Sequence, residues 1–122
     1  MNISEAESVV MEVLWREHPL GAEDIIERLK PTQHWQERTV KSLLNRLLGK
    51  RAIAAKKDGR RYLYRPKIER AQYVASRSSD LLDRLFGGRV APLVAHFSEQ
   101  GKLRKKDIEE LKRLLEEIEN ER

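Results

Sequence analysis

A hairpin signal at Asp58-Gly59 limits the folds open to this chain more than any other feature of its sequence. Short runs of strand-forming residues, 53–56 and 61–65, flank this dipeptide, and Pro66 closes the second run. Asp-Gly between two such runs is a strong signal for a tight turn joining antiparallel strands. The sequence therefore predicts one small β-hairpin near the middle of the chain.

Three segments before the hairpin have the hydrophobic spacing of helices. The first, predicted over residues 4–17, begins at an S-x-x-E capping box. The second covers residues 22–30 and ends at Pro31, and the third covers residues 37–50. Three helices followed by a hairpin are the element order of a winged helix. In that fold the second and third helices form a helix-turn-helix and the hairpin is the wing.

Basic residues are concentrated around the predicted third helix and hairpin. Residues 38–67 contain eleven lysines and arginines against one acid, and the 122-residue chain has a formal net charge of +5. Cations at this density, held on a helix and a hairpin, can neutralise a row of phosphates. The distribution of charge therefore indicates duplex DNA as the partner.

The third helix has a polar face whose side chains can donate hydrogen bonds to DNA. The residues predicted near base edges are Arg38, Thr39, Lys41 and Ser42. The residues predicted nearer the DNA backbone are Asn45 and Arg46. The alternative interpretation of this face is an ordinary solvated helix surface.

The hairpin tip carries four cations and one acid, a cluster in which like charges repel unless a partner neutralises them. We predict that these cations contact phosphates or the minor groove. They are Lys56, Lys57, Arg60 and Arg61. The alternative is a strand edge that charge protects against aggregation.

Three further amphipathic helices are predicted after the hairpin, the last over about residues 105–120. Residues 71–122 hold 10 basic and 10 acidic side chains, so this part has no net charge. Broad apolar faces without net charge suit self-association better than DNA binding. The predicted dimer interface comprises Leu81, Leu85, Leu93, Phe97, Ile108, Leu111 and Leu115.

The predicted fold class is thus mainly α with a small β-hairpin wing. A winged helix-turn-helix DNA-binding domain is expected over residues 1–68, and an α-helical dimerisation domain over residues 69–122. The expected function is that of a self-associating protein that binds double-stranded DNA.

Several other classes of protein are disfavoured by what the sequence lacks. The chain has no cysteine, which excludes a disulfide framework, a thiolate metal site and a cysteine nucleophile. Its three histidines have no ligand spacing, and no nucleophile elbow or phosphate loop occurs. We expect no enzyme activity, metal, cofactor or small-molecule substrate. The sequence shows neither a signal-peptide pattern nor a membrane span, so a cytoplasmic location is expected.

A family resemblance runs through nearly the whole chain. The segment RTVKSLLNRL at residues 38–47 matches best. Further matching segments are residues 3–7, 13–15, 22–29, 50–51, 62–64, 87–88, 93–97 and 107–111. In their order and spacing the chain resembles the penicillinase-repressor family of bacterial transcription factors.

The resemblance implies binding to palindromic operators and control of β-lactamase or related antibiotic-resistance genes. It also implies a membrane-bound sensor metalloprotease that ends repression by cutting the dimerisation region. The bond cut would be His96-Phe97, although well-known members have Asn in place of His96. The copper-responsive branch carries a cysteine cluster that this chain lacks.

Two alternative functions remain open. A winged-helix regulator of the same build could respond to another inducer and control other genes. A basic module for RNA or protein binding is a different class, but the strands lack the aromatic-rich motifs that stack RNA bases.

Overall fold

The computed structural model describes residues 2–121. The chain divides into two compact units, one reaching to residue 74 and the other beginning at residue 75. Within the described residues, no helix combines the length and the apolar character that a membrane span requires.

The first unit contains three helices and a three-stranded antiparallel sheet. The helices are α1 (Glu5–Arg16), α2 (Ala22–Leu29) and α3 (Glu37–Gly49). The strands are β1 (Leu20–Gly21), β2 (Ile53–Asp58) and β3 (Arg61–Pro66), in the spatial order β1-β3-β2. The mainly helical class with a small hairpin agrees with the sequence prediction.

One strand, β1, was not predicted. Its two residues, Leu20 and Gly21, pair with Tyr64 and Leu63 of β3. A strand this short has no periodicity for a sequence pattern to reveal. Because α2 begins directly after β1, the pairing joins the start of the helix-turn-helix to the hairpin.

The hairpin turn lies one residue further along the chain than its Asp-Gly signal indicated. Asp58 pairs with Arg61, which leaves Gly59 and Arg60 as the two-residue loop. Gly59 has φ +64°, as the first loop residue of a type II′ turn requires. Arg60 therefore occupies the tip of the wing.

The hydrophobic core lies entirely in the first unit, among α1, α2, α3 and the start of β2. Apolar stripes on the three helices meet there, as their spacing predicted. The buried apolar residues are Ile3, Val10, Met11, Leu14, Leu20, Ile25, Ile26, Leu29, Val40, Leu43, Leu44, Leu47, Ala52 and Ile53.

A buried carboxylate, Glu7, closes the capping box of α1. Its backbone N–H donates to Ser4 Oγ at 3.1 Å, and the Ser4 N–H donates to Glu7 Oε1 at 2.8 Å. Lys50, the residue that follows α3, donates from Nζ to the same Oε1 and to the carbonyl of Asn2 at 2.7 Å. Burial acts to raise the pKa of Glu7, but the hydrogen bonds from Lys50 and Ser4 outweigh it and hold the pKa below its ordinary value.

The beginning of α4 (Arg70–Phe86) packs on α1 within the first unit. Trp15 Nε1 donates to the carbonyl of Ile68 at 2.9 Å, and the Trp15 ring lies 5.4 Å from that of Tyr73. Arg70 Nε forms an ion pair with Glu12 at 3.1 Å. These contacts extend the first unit beyond residue 68.

The second unit consists of the rest of α4, α5 (Val90–Glu99) and α6 (Lys105–Asn120). Glycines with positive φ follow α4 and α5. Between residues 75 and 121 no residue is buried. The large apolar side chains exposed there are Leu81, Leu85, Val90, Phe97, Ile108, Leu114, Leu115 and Ile118.

Candidate DNA interface

The helix α3 has one face in the core and one face in solvent. Val40, Leu43, Leu44 and Leu47 are buried at helical spacing and fix the rotation of the helix about its axis. The opposite face is therefore directed outwards. Its exposed polar residues are Arg38, Thr39, Lys41, Ser42, Asn45 and Arg46, all six of the residues selected from the sequence.

Four of these six line one shallow, open depression on the helix surface. They are Arg38, Lys41, Ser42 and Asn45. The other two, Thr39 and Arg46, are exposed but do not contribute to the lining. Within residues 2–121, none of the six side chains donates a hydrogen bond or forms an ion pair, so their donors are available to a ligand.

A carboxylate that sequence reasoning missed also lines this depression. Glu37, the first residue of α3, lies beside Arg38 and Lys41. The sequence does contain a signal for this position: Glu37 lies four residues before Lys41, and residues four apart share a helix face.

The wing presents its cations in two ways. Lys56, Lys57 and Arg60 are exposed, and in the described part of the chain their side chains form no ion pair. Arg61 instead lies 3.9 Å from carboxylate oxygens of both Asp24 and Asp58. The structure therefore places Arg61 between the wing and α2, whereas the other three cations are directed to solvent.

Lys50 lies inside the basic segment of the sequence but serves the fold. Its ammonium is held by Glu7 Oε1 and by the carbonyl of Asn2. Two acceptors saturate most of its hydrogen-bonding capacity, so it is a poor candidate for a phosphate contact.

The described residues hold no cluster of three or more histidine, aspartate or glutamate side chains arranged to bind a metal ion. What the first unit does offer is a donor-rich helix face beside a cationic hairpin. A helix-turn-helix with such a face and such a hairpin is the arrangement of a winged-helix DNA-binding protein.

Comparison with known proteins gives the family. The model of the penicillinase repressor family matches residues 3–117, and the chain belongs to that family. The penicillinase repressor of Bacillus licheniformis is 34% identical over 118 residues, which are 97% of this chain and 92% of that protein. Family membership and the likeness to solved structures of the BlaI DNA-binding domain together confirm the winged-helix prediction and the expectation that the chain is not an enzyme.

Two solved structures resemble the first part of the chain. The solution structure of the DNA-binding domain of the repressor BlaI has a TM-score of 0.55 and 35% identity, covering 59% of this chain and 88% of that one. Monomeric Bacillus licheniformis BlaI, solved with the blaP half-operator, has a TM-score of 0.53 and 34% identity, covering 60% and 89%. The likeness in fold and sequence therefore includes a relative bound to DNA.

Proposed function

We propose that this protein is a homodimeric transcriptional repressor that binds palindromic operator DNA through α3 and the wing. The observation that carries the proposal is the exposed face of α3, whose donors have no partner within residues 2–121. The half-operator complex of the Bacillus licheniformis relative supports it.

In this proposal the exposed face of α3, which carries the depression, enters the major groove. The N-terminal half of α3, where helix-turn-helix proteins contact base edges, contains Arg38, Lys41 and Ser42. Thr39 would also approach the bases, whereas Asn45 and Arg46 would hold the flanking phosphates. The wing would contact phosphates or the minor groove through Lys56, Lys57 and Arg60, with Arg61 beside them.

The second unit supports the proposal of a dimer, because its three helices have apolar faces that they do not bury. Leu85 is 71% exposed, and no residue from 75 to 121 is buried. A second copy of the same unit would cover these faces. The proposed interface is completed by Leu81, Leu93, Phe97, Ile108, Leu111 and Leu115. Two half-sites held together raise affinity by roughly 10²–10⁴ through effective concentration.

Release of repression is proposed to follow proteolysis in the dimerisation unit by a membrane sensor metalloprotease, in the cytoplasm. The proposed bond, His96-Phe97, lies inside α5, where the His96 carbonyl accepts from the Gln100 N–H at 3.1 Å. Cleavage would therefore require this helix to open. The controlled genes would be of the β-lactamase type, as the names of the relatives suggest.

The function is tested by fluorescence anisotropy with duplex DNA from upstream of the protein's own gene, against random duplex, over a series of salt concentrations. A specific site should be preferred by about a thousandfold. Equal affinity for both duplexes, lost with modest salt, would contradict operator binding.

The dimer is tested with Leu85→Glu, and Ser79→Glu on the same helix is the matched control. Leu85→Glu should shift sedimentation towards the monomer and weaken operator binding, whereas Ser79→Glu should do neither. If the Leu85→Glu variant remains dimeric, Leu85 does not lie in the dimer interface.

A further inference from the structure

We infer that Glu37 determines base specificity by accepting a hydrogen bond from the exocyclic amino group of a cytosine in the major groove. This inference rests on the proposed function, since it requires α3 to enter that groove. It assigns a role to the one residue lining the depression that cannot donate a hydrogen bond to a phosphate.

The position of Glu37 carries the first part of the argument. It is the first residue of α3, it is exposed, and it lines the depression together with Arg38 and Lys41. N-terminal residues of a recognition helix are those that reach base edges. A ligand seated in this depression therefore meets the carboxylate as well as the donors.

The carboxylate has no partner in the part of the chain that the structure describes. Lys41 lies one turn ahead, at the spacing that favours a Glu–Lys pair, yet no ion pair forms. Arg38, which lines the same depression, forms no ion pair with it either, and Lys30 pairs with Glu27 at 2.7 Å. Glu37 thus keeps its full capacity to accept hydrogen bonds.

A free carboxylate on a surface that binds a polyanion lowers affinity for every sequence, because phosphates repel it. The cost is offset only where the DNA presents a donor. An ionised carboxylate accepts hydrogen bonds and donates none. In the major groove, cytosine N4 and adenine N6 both present an amino donor, but adenine N6 lies beside the N7 acceptor, which repels a carboxylate. Cytosine is therefore the base from which Glu and Asp accept, and guanine presents only acceptors there. Glu37 would favour cytosine and reject guanine at one position of each half-site.

Glu37 also has a structural role available to it, and the test must separate the two. An acid in the first turn stabilises a helix through the helix dipole, and Gln36 provides no side-chain cap for α3. That role changes the stability of the protein but leaves base preference untouched. Base preference is therefore the decisive measurement.

The experiment is selection of bound duplexes from a randomised library by the full-length protein, by Glu37→Gln and by Glu37→Ala. The control is Glu23→Gln, which removes an exposed acid from the first turn of α2. The wild type and the control should enrich the same palindrome with cytosine at one position of each half-site. Both Glu37 variants should lower that preference roughly five- to tenfold, the effect of losing one base contact.

The outcomes separate the inference from the function on which it rests. An unchanged palindrome in both Glu37 variants would overturn the role of Glu37 and leave operator binding intact. Loss of preference for a base other than cytosine would also overturn it. A wild type that enriches no palindrome would overturn the proposed function and the inference together.

Discussion

Lys50 Nζ lies 2.6 Å from Oε1 of Glu7, a side chain that is only 1% exposed. The contact joins the residue after α3 to the first turn of α1. A cation from the most basic segment of the sequence thus makes contacts within the fold. The ion pair also shows that charge density along the sequence overestimates the number of cations available to phosphates.

Replacing Glu7 with Gln should lower the free energy of unfolding by about 1–3 kcal/mol, the usual range for disrupting a buried, charged hydrogen-bonding group. The variant loses the charge that pairs with Lys50 and weakens the capping box with Ser4. Urea unfolding followed by circular dichroism measures the change. Glu5→Gln, an exposed acid in the same turn, is the control and should have a small effect. Equal effects of the two substitutions would contradict the role of the ion pair.

Acidification should remove the contribution of Glu7 to stability. The pKa of Glu7 is lower in the folded protein than its ordinary value of 4.5. The stabilisation is therefore complete above that value and declines as pH falls through the lower, folded pKa. The difference in unfolding free energy between the wild type and Glu7→Gln should be constant near neutral pH and narrow below about pH 4.5. A difference that stays constant down to pH 3 would contradict this prediction.

Arg60 and Arg61 should contribute differently to DNA binding despite being neighbours. Arg60 is at the wing tip, whereas Arg61 lies 3.9 Å from both Asp24 and Asp58. Arg60→Ala should lower the salt slope of binding by about one, as expected for a lost phosphate contact. Arg61→Ala should change the slope less, because its charge is partly offset within the protein. Equal changes in the two slopes would show that Arg61 leaves its carboxylates when DNA binds.

Arg51 has a backbone conformation that favours glycine. Its φ is +61°, and it lies in the turn after α3, where the Ala52 N–H donates to the carbonyl of Leu47 at 3.0 Å. Arg51→Gly should relieve the strain and raise stability by up to about 1 kcal/mol. Arg51→Ala is the control, because it removes the charge and keeps the Cβ. In thermal unfolding, Arg51→Gly should have a higher melting temperature than Arg51→Ala. The reverse order would exclude backbone strain at this residue.

The first unit should be more stable on its own when it includes the start of α4. A fragment of residues 1–76 keeps Tyr73 against Trp15 and Arg70 beside Glu12, and a fragment of residues 1–68 loses both contacts. The longer fragment should unfold cooperatively and the shorter one at a lower temperature, as measured by calorimetry. Identical melting temperatures would place the boundary at residue 68.

The sequence was sufficient to predict those elements whose signals are local and repeated along the chain. The stripe through Val40, Leu43, Leu44 and Leu47 fixed which face of α3 is exposed, and the capping box at Ser4 formed as predicted. Contacts between distant residues were not accessible in this way. The pairing of β1 with β3 and the partners of Lys50 and Arg61 depend on chain segments that meet only in the folded protein.

The division of α3 into a buried face and an exposed face has a consequence for how such a regulator can change in evolution. The side chains of its buried stripe support the core, and those on its outer face make no contact that the fold requires. In the proposed binding mode, substitutions at Arg38, Lys41 or Ser42 would therefore change which DNA is recognised, at little cost in stability. Single mutations on this face could then produce recognition of a new operator without unfolding the protein. The helix is at once a fixed structural element and a surface open to change.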